Sequence, residues 1–132
     1  NTCYYAAMTG DIMCLKYAHK LGCVIGYPDI CMAIKHDKKM CLEYMLQNTD
    51  DKNNDLCDYA AEHNALDALR ILHKHGVPWT VKTCNIAAEN DNWGCLIYAH
   101  TNGCPVDETT MKIAKENDSE KCVRYLSQVI KN

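Results

Sequence analysis

The chain has 132 residues, 48% hydrophobic and 23% charged, which is enough apolar material for one ordinary core without disulfide or metal staples. With 14 basic against 17 acidic residues and a formal charge of −3, it lacks the electrostatic footprint that holds phosphate backbones, which argues against nucleic acid. No run of about 18 apolar residues occurs and no basic-then-apolar leader is present, so neither a membrane span nor secretion is expected.

The chain opens in mid-pattern. Asn1 is not an initiator methionine and Cys3 already belongs to a repeat, so a segment of a longer protein is expected. "CYYAA" at 3–7 and "CLKYA" at 14–18 are the first of five paired motifs. The pair returns as "CMAIK" 31–35 with "CLEYM" 41–45, "CDYAA" 57–61 with "ALRIL" 68–72, "CNIAA" 84–88 with "CLIYA" 95–99, and "MKIAK" 111–115 with "CVRYL" 122–126. In the second motif, apolar residues at i, i+1, i+3 and i+4 mark one broad helical face. In the first, small residues recur where helices must approach closely.

The period is 27 residues, with Cys14, Cys41, Ala68, Cys95 and Cys122 on one lattice. Cys3, Cys31, Cys57 and Cys84 form a second, with steps of 28, 26 and 27, continued at Met111. The units run approximately 1–26, 27–53, 54–80, 81–107 and 108–132. Gly22, Gly76 and Gly103 are placed to end each second helix in the left-handed conformation, and Pro78 and Pro105 prevent continuation. Thr80, Asp107 and Asn53 are placed to cap the next helix. "TGD" 9–11, "HNA" 63–65, "NDN" 90–92 and "NDS" 117–119 supply the internal turns. Unit 2 is irregular: Thr49 replaces the glycine, and the polar stretch "QNTDDKNND" 47–55 predicts a longer, mobile loop. A unit of helix, turn, helix and loop is too short to bury its own apolar face. The units must therefore stack, which predicts an all-α fold, an α-solenoid of about ten short helices.

"CLKYAHKLGC" 14–23 and "CLIYAHTNGC" 95–104 repeat a Cys-His-Cys spacing, which raises the question of a zinc site. On a helix Cys14 and His19 point roughly 140° apart, and Gly22 ends the helix before Cys23. Unit 3 has Ala68, His73 and Val77 at the matching positions, so the repeat persists without the ligands. Buried cysteine and partly exposed histidine are expected, with no metal and no cofactor. Lattice positions that accept Cys, Ala or Met select small apolar bulk, so most of the ten cysteines read as free thiols in a reducing, cytoplasmic compartment. No cysteine is set apart from its lattice mates as a nucleophile would be, and no enzyme is expected. Tyr17, Tyr44, Tyr98 and Tyr125 share a lattice with Ile71, which predicts packing, and Trp79 reads as a wedge between units.

Two lattice series remain for recognition. The position after the first-helix Cys or Met gives Tyr4, Met32, Asp58, Asn85 and Lys112, which change character in every unit. The position five after it gives Met8, His36, Glu62, Glu89 and Glu116. Its acidic run in units 3 to 5 would favour a protein partner with a basic patch.

"TCNIAAENDNWGCLIYAHTNGCPVDE" 83–108 resembles the short ankyrin-like repeats found in giant DNA viruses of amoebae, and the resemblance extends over all five units. It implies stacked helix-turn-helix ankyrin-like repeats, a non-catalytic protein-binding scaffold without cofactor, and a setting in host cytoplasm or virion. Ankyrin repeats proper run about 33 residues and open with Thr-Pro-Leu-His. Here Thr83-Cys84-Asn85-Ile86 stands instead, so protruding β-hairpins are expected to be absent or reduced to loops. Two alternatives stand beside the scaffold. One is a structural component, for example of a virus particle, that self-associates through uncapped ends including Val129 and Ile130. The other is a zinc- or thiol-dependent protein.

Overall fold

Ten helices of eight to ten residues account for most of the computed structural model, which describes residues 2–50 and 55–130. They are α1 Thr2–Thr9, α2 Ile12–Lys20, α3 Tyr27–Lys35, α4 Lys39–Gln47, α5 Asp55–Glu62, α6 Leu66–Lys74, α7 Val81–Glu89, α8 Trp93–Thr101, α9 Glu108–Glu116 and α10 Glu120–Val129. No strand occurs among the described residues. The odd-numbered helices pack in sequence against one another, and so do the even-numbered ones. The result is a two-layer α-solenoid.

The turn inside each pair is left-handed at one residue: Gly10, Asp37, Asn64, Asp91 and Asp118, with φ of 81°, 56°, 54°, 52° and 53°. Glycine has no Cβ to clash there, and Asp and Asn tolerate the conformation better than other residues. The second helix of units 1, 3 and 4 stops at Gly22, Gly76 and Gly103, with φ of +98°, +80° and +102°. A Cβ at these three positions would meet nothing within 4 Å. Backbone conformation, not space, therefore selects glycine. Thr80 and Asp107 cap α7 and α9 as the sequence predicts. Asn53 lies outside the described residues, as does the middle of the 47–55 stretch; α4 ends at Gln47 and α5 begins at Asp55.

The core is a ladder. Ala6, Ala33, Ala60, Ala87 and Ala114 are all buried between the first helices, and Leu15, Leu42, Leu69 and Leu96 between the layers. The alanine ladder corrects the register of unit 2. Counting back three from Ala33, the residue equivalent to Cys3, Cys57 and Cys84 is Ile30, which is fully buried, and Cys31 stands one position later. The uneven cysteine steps were the trace of this shift. Met32 and His36 accordingly leave the two recognition series, and Cys31 and Lys35 take their places.

Candidate partner-binding surface

Two members of the first recognition series, Asp58 and Asn85, bond to the next unit. Asp58 is 9% exposed, and its Oδ1 accepts a 2.7 Å hydrogen bond from the Thr83 hydroxyl of the following unit. Thr83 is the third residue of α7 and also accepts from the Thr80 N–H at 3.3 Å. The next junction repeats the device: Thr110 donates to Asn85 Oδ1 at 2.6 Å and accepts from the Asp107 N–H at 3.2 Å. Each cap is thereby tied to the unit before it. Asp58 and Asn85, expected on the recognition surface, each accept a hydrogen bond from the following unit, because their short polar chains fit the helix start opposite. The signal available in the sequence was a Thr placed 25 residues after each of them. Tyr4 is half-buried edge-on to Tyr5, at 5.7 Å between ring centroids. Met32 packs against the core, and Lys112 is exposed.

The second series does reach solvent. Glu62, Glu89 and Glu116 end α5, α7 and α9 on successive units and are exposed. Among the described residues none of the three takes part in an ion pair. Lys35 and His36 are both exposed beside them in unit 2, and Met8 is half-buried in unit 1.

The residues of the Cys-His-Cys spacing do not converge. Cys14 is exposed, with its N–H donated to Asp11 Oδ1 at 3.1 Å. His19 Nδ1 meets the Tyr44 hydroxyl at 2.7 Å, and Cys23 is joined to Cys3. In unit 4, His100 Nδ1 meets the Tyr125 hydroxyl at 2.6 Å. In unit 3, His73 stacks on Trp79 with centroids 4.2 Å apart and stands edge-on to Tyr98 at 6.1 Å. These histidines are struts from one unit to the tyrosine of the next, and Trp79 is the wedge the sequence predicts.

The thiol chemistry follows burial. Eight cysteines are unpaired. Desolvation pushes Cys95 up to about 11 and, as the largest cause, Cys57 and Cys122 up to about 12, because a buried thiolate loses its hydration. Cys84 and Cys104, three periods on from Cys3 and Cys23, place their sulfurs 3.1 Å apart. The Cys84 S–H donates to Cys104, which with burial keeps Cys84 protonated and lowers Cys104.

No protein-family model and no curated protein matches the chain. Among solved structures it is similar to the crystal structure of the human ASB11 ankyrin repeat domain, with a TM-score of 0.84 and 15% identity, over 100% of this chain and 70% of that one. The chain has the ankyrin-repeat fold, with pairs shortened to a 27-residue period.

Proposed function

We propose that the chain is a non-catalytic protein-interaction scaffold whose contacting edge is the row of first-helix C-termini. The observation that carries this reading is the run of Glu62, Glu89 and Glu116, exposed on successive units and unpaired by any cation among the described residues. Three carboxylates at regular spacing on a rigid stack favour a partner with a basic patch, through long-range steering and register. Lys112 and the exposed Lys35 and His36 flank the row and limit which basic patches fit. The resemblance of residues 83–108 to the short ankyrin-like repeats of giant viruses implies host cytoplasm or virion as the setting.

The test is affinity capture with the intact chain and with E62K/E89K/E116K, both checked for equal helicity. A partner held by the first and lost by the second establishes the edge. Equal capture by both removes it.

A second reading, an assembly component, is favoured by unit 1. Tyr5, Met13, Tyr17 and Leu21 are all exposed there. Sedimentation at increasing concentration decides: a monomer throughout rules out self-assembly.

A further inference from the structure

The second-helix layer carries grooves built from one set of repeat positions, and they differ in chemistry. Between α8 and α10 lies a groove of about 360 Å³, floored by Trp93, Ile97 and Tyr125 and edged by Lys121, Arg124 and Gln128. The groove between α2 and α4, about 320 Å³, uses the same six positions three periods earlier, but Met40 stands for Lys121 and Glu43 for Arg124. Between units 2 and 3 the corresponding positions are tied across by Lys39–Asp67 at 3.1 Å and Lys74–Glu43 at 3.4 Å. Among the described residues, only the α8/α10 copy combines an exposed indole, two cations and no lining carboxylate.

Its floor is built rather than incidental. Tyr125 is fixed by the hydrogen bond to His100 at 2.6 Å. Trp93 is 45% exposed, and Lys121 Nζ lies 5.1 Å from its ring centroid. That contact holds the ammonium at the rim by cation–π attraction while leaving its other hydrogen-bond donors for a ligand. Arg124 adds a planar fork suited to a carboxylate. The local sign is opposite to that of the chain, whose formal charge is −3, and to that of the acidic first-helix row.

We propose that the α8/α10 groove is a second docking site, for an acidic peptide segment carrying one large apolar anchor residue. The anchor covers Trp93 and Ile97, and carboxylates on either side of it meet Lys121 and Arg124. An apolar floor makes a simple anion a poor occupant, and the two cations make a purely apolar helix a poor one. This site is independent of the acidic edge and needs a partner segment of opposite charge.

The test uses the chain, labelled with nitrogen-15, and the acetylated, amidated peptide EEDSFDEE, with QQNSFNQQ as its uncharged counterpart. The expected result is saturable movement of the Trp93 indole N–H and of the Ile97 and Gln128 amides with the acidic peptide. K121E/R124E, both exposed substitutions, should weaken binding about tenfold, as loss of two solvent-exposed ion pairs does. The proposal is overturned by equal binding of the uncharged peptide, by shifts confined to the first-helix layer, or by no shift at millimolar peptide. Concentration-dependent shifts at Trp93 without peptide would overturn it too, since a second copy would then be the occupant.

Discussion

Units 1 and 4 carry almost the same second-helix sequence, "CLKYAHKLGC" and "CLIYAHTNGC", in two different environments. Leu15 and Leu96 are fully buried in both. Cys95 is also fully buried, with its sulfur 3.8 Å from Asn64 Oδ1 of the preceding unit, whereas Cys14 is exposed. Tyr98 is half-buried beneath Arg70, 5.6 Å from its ring, whereas Tyr17 is 65% exposed. One motif therefore has two faces. The leucine is covered by its own helix pair; the cysteine and tyrosine are covered only by the unit before. Stability in such a stack is a sum of unit terms and junction terms, and the two copies separate them.

The largest effects belong to the face shared by both copies. Leu15→Ala and Leu96→Ala should each cost about 2–5 kcal/mol in urea unfolding, since both leave a cavity in a closed part of the core. A loss confined to Leu96→Ala would mean that unit 1 depends on its neighbour for its own core, and the division into faces would fail.

The junction hydrogen bonds come next. Thr83→Val keeps the shape of the side chain and removes the donor to buried Asp58, with an expected cost of about 2 kcal/mol. Thr110→Val acts on Asn85, a neutral partner, and should cost about 1 kcal/mol. A reversed order would show that charge on Asp58 contributes nothing at the junction.

The lattice cysteines sharpen the contrast directly. Cys95→Ser puts a hydroxyl into a buried site and should cost about 1–3 kcal/mol. Cys14→Ser should fall within about 0.5 kcal/mol of zero. In the native chain Cys14, exposed although Asp11 pushes its thiol up, should alkylate ahead of Cys95, which reacts only as the stack opens; mass mapping after a short iodoacetamide pulse reads this out. Equal rates would place Cys95 at a surface.

The helix pairs, their stacking and most turn and cap residues were legible because each is set by local chemistry repeated at one period. Gly22, Gly76 and Gly103, the caps Thr80 and Asp107, and the wedge Trp79 all stand as the sequence predicts. Three features were not legible. Cysteine is common enough here to imitate a lattice at Cys31, and only the buried alanine ladder shows that Ile30 holds the position. Asp58 and Asn85 looked variable because polar residues of different types can satisfy the same threonine hydroxyl. The α8/α10 groove joins residues of two units, Trp93 and Ile97 with Lys121 and Arg124, so no window along a single unit contains it.

The smallest effect concerns the position held by Leu21 in unit 1 and His75 in unit 3. Leu21 is exposed; His75 reaches back to the preceding unit, where its Nε2 donates to Glu43 Oε1, and Lys74 Nζ lies 3.4 Å from Glu43 Oε2. The hydrogen bond from His75, followed by the charge of Lys74, lowers the Glu43 pKa in the fold. A carboxylate depressed in this way adds stability that is present above its unfolded value and is lost as pH falls through its folded value. Because Glu43 is about a third exposed, solvent screens the contribution to under about 1 kcal/mol. Glu43→Gln should therefore lower the urea midpoint slightly at pH 7, and the two proteins should converge as the solution is acidified through the carboxylate range. A difference that persists unchanged into acid would assign the loss to packing, and unit 3 would then hold unit 2 by shape alone at this position.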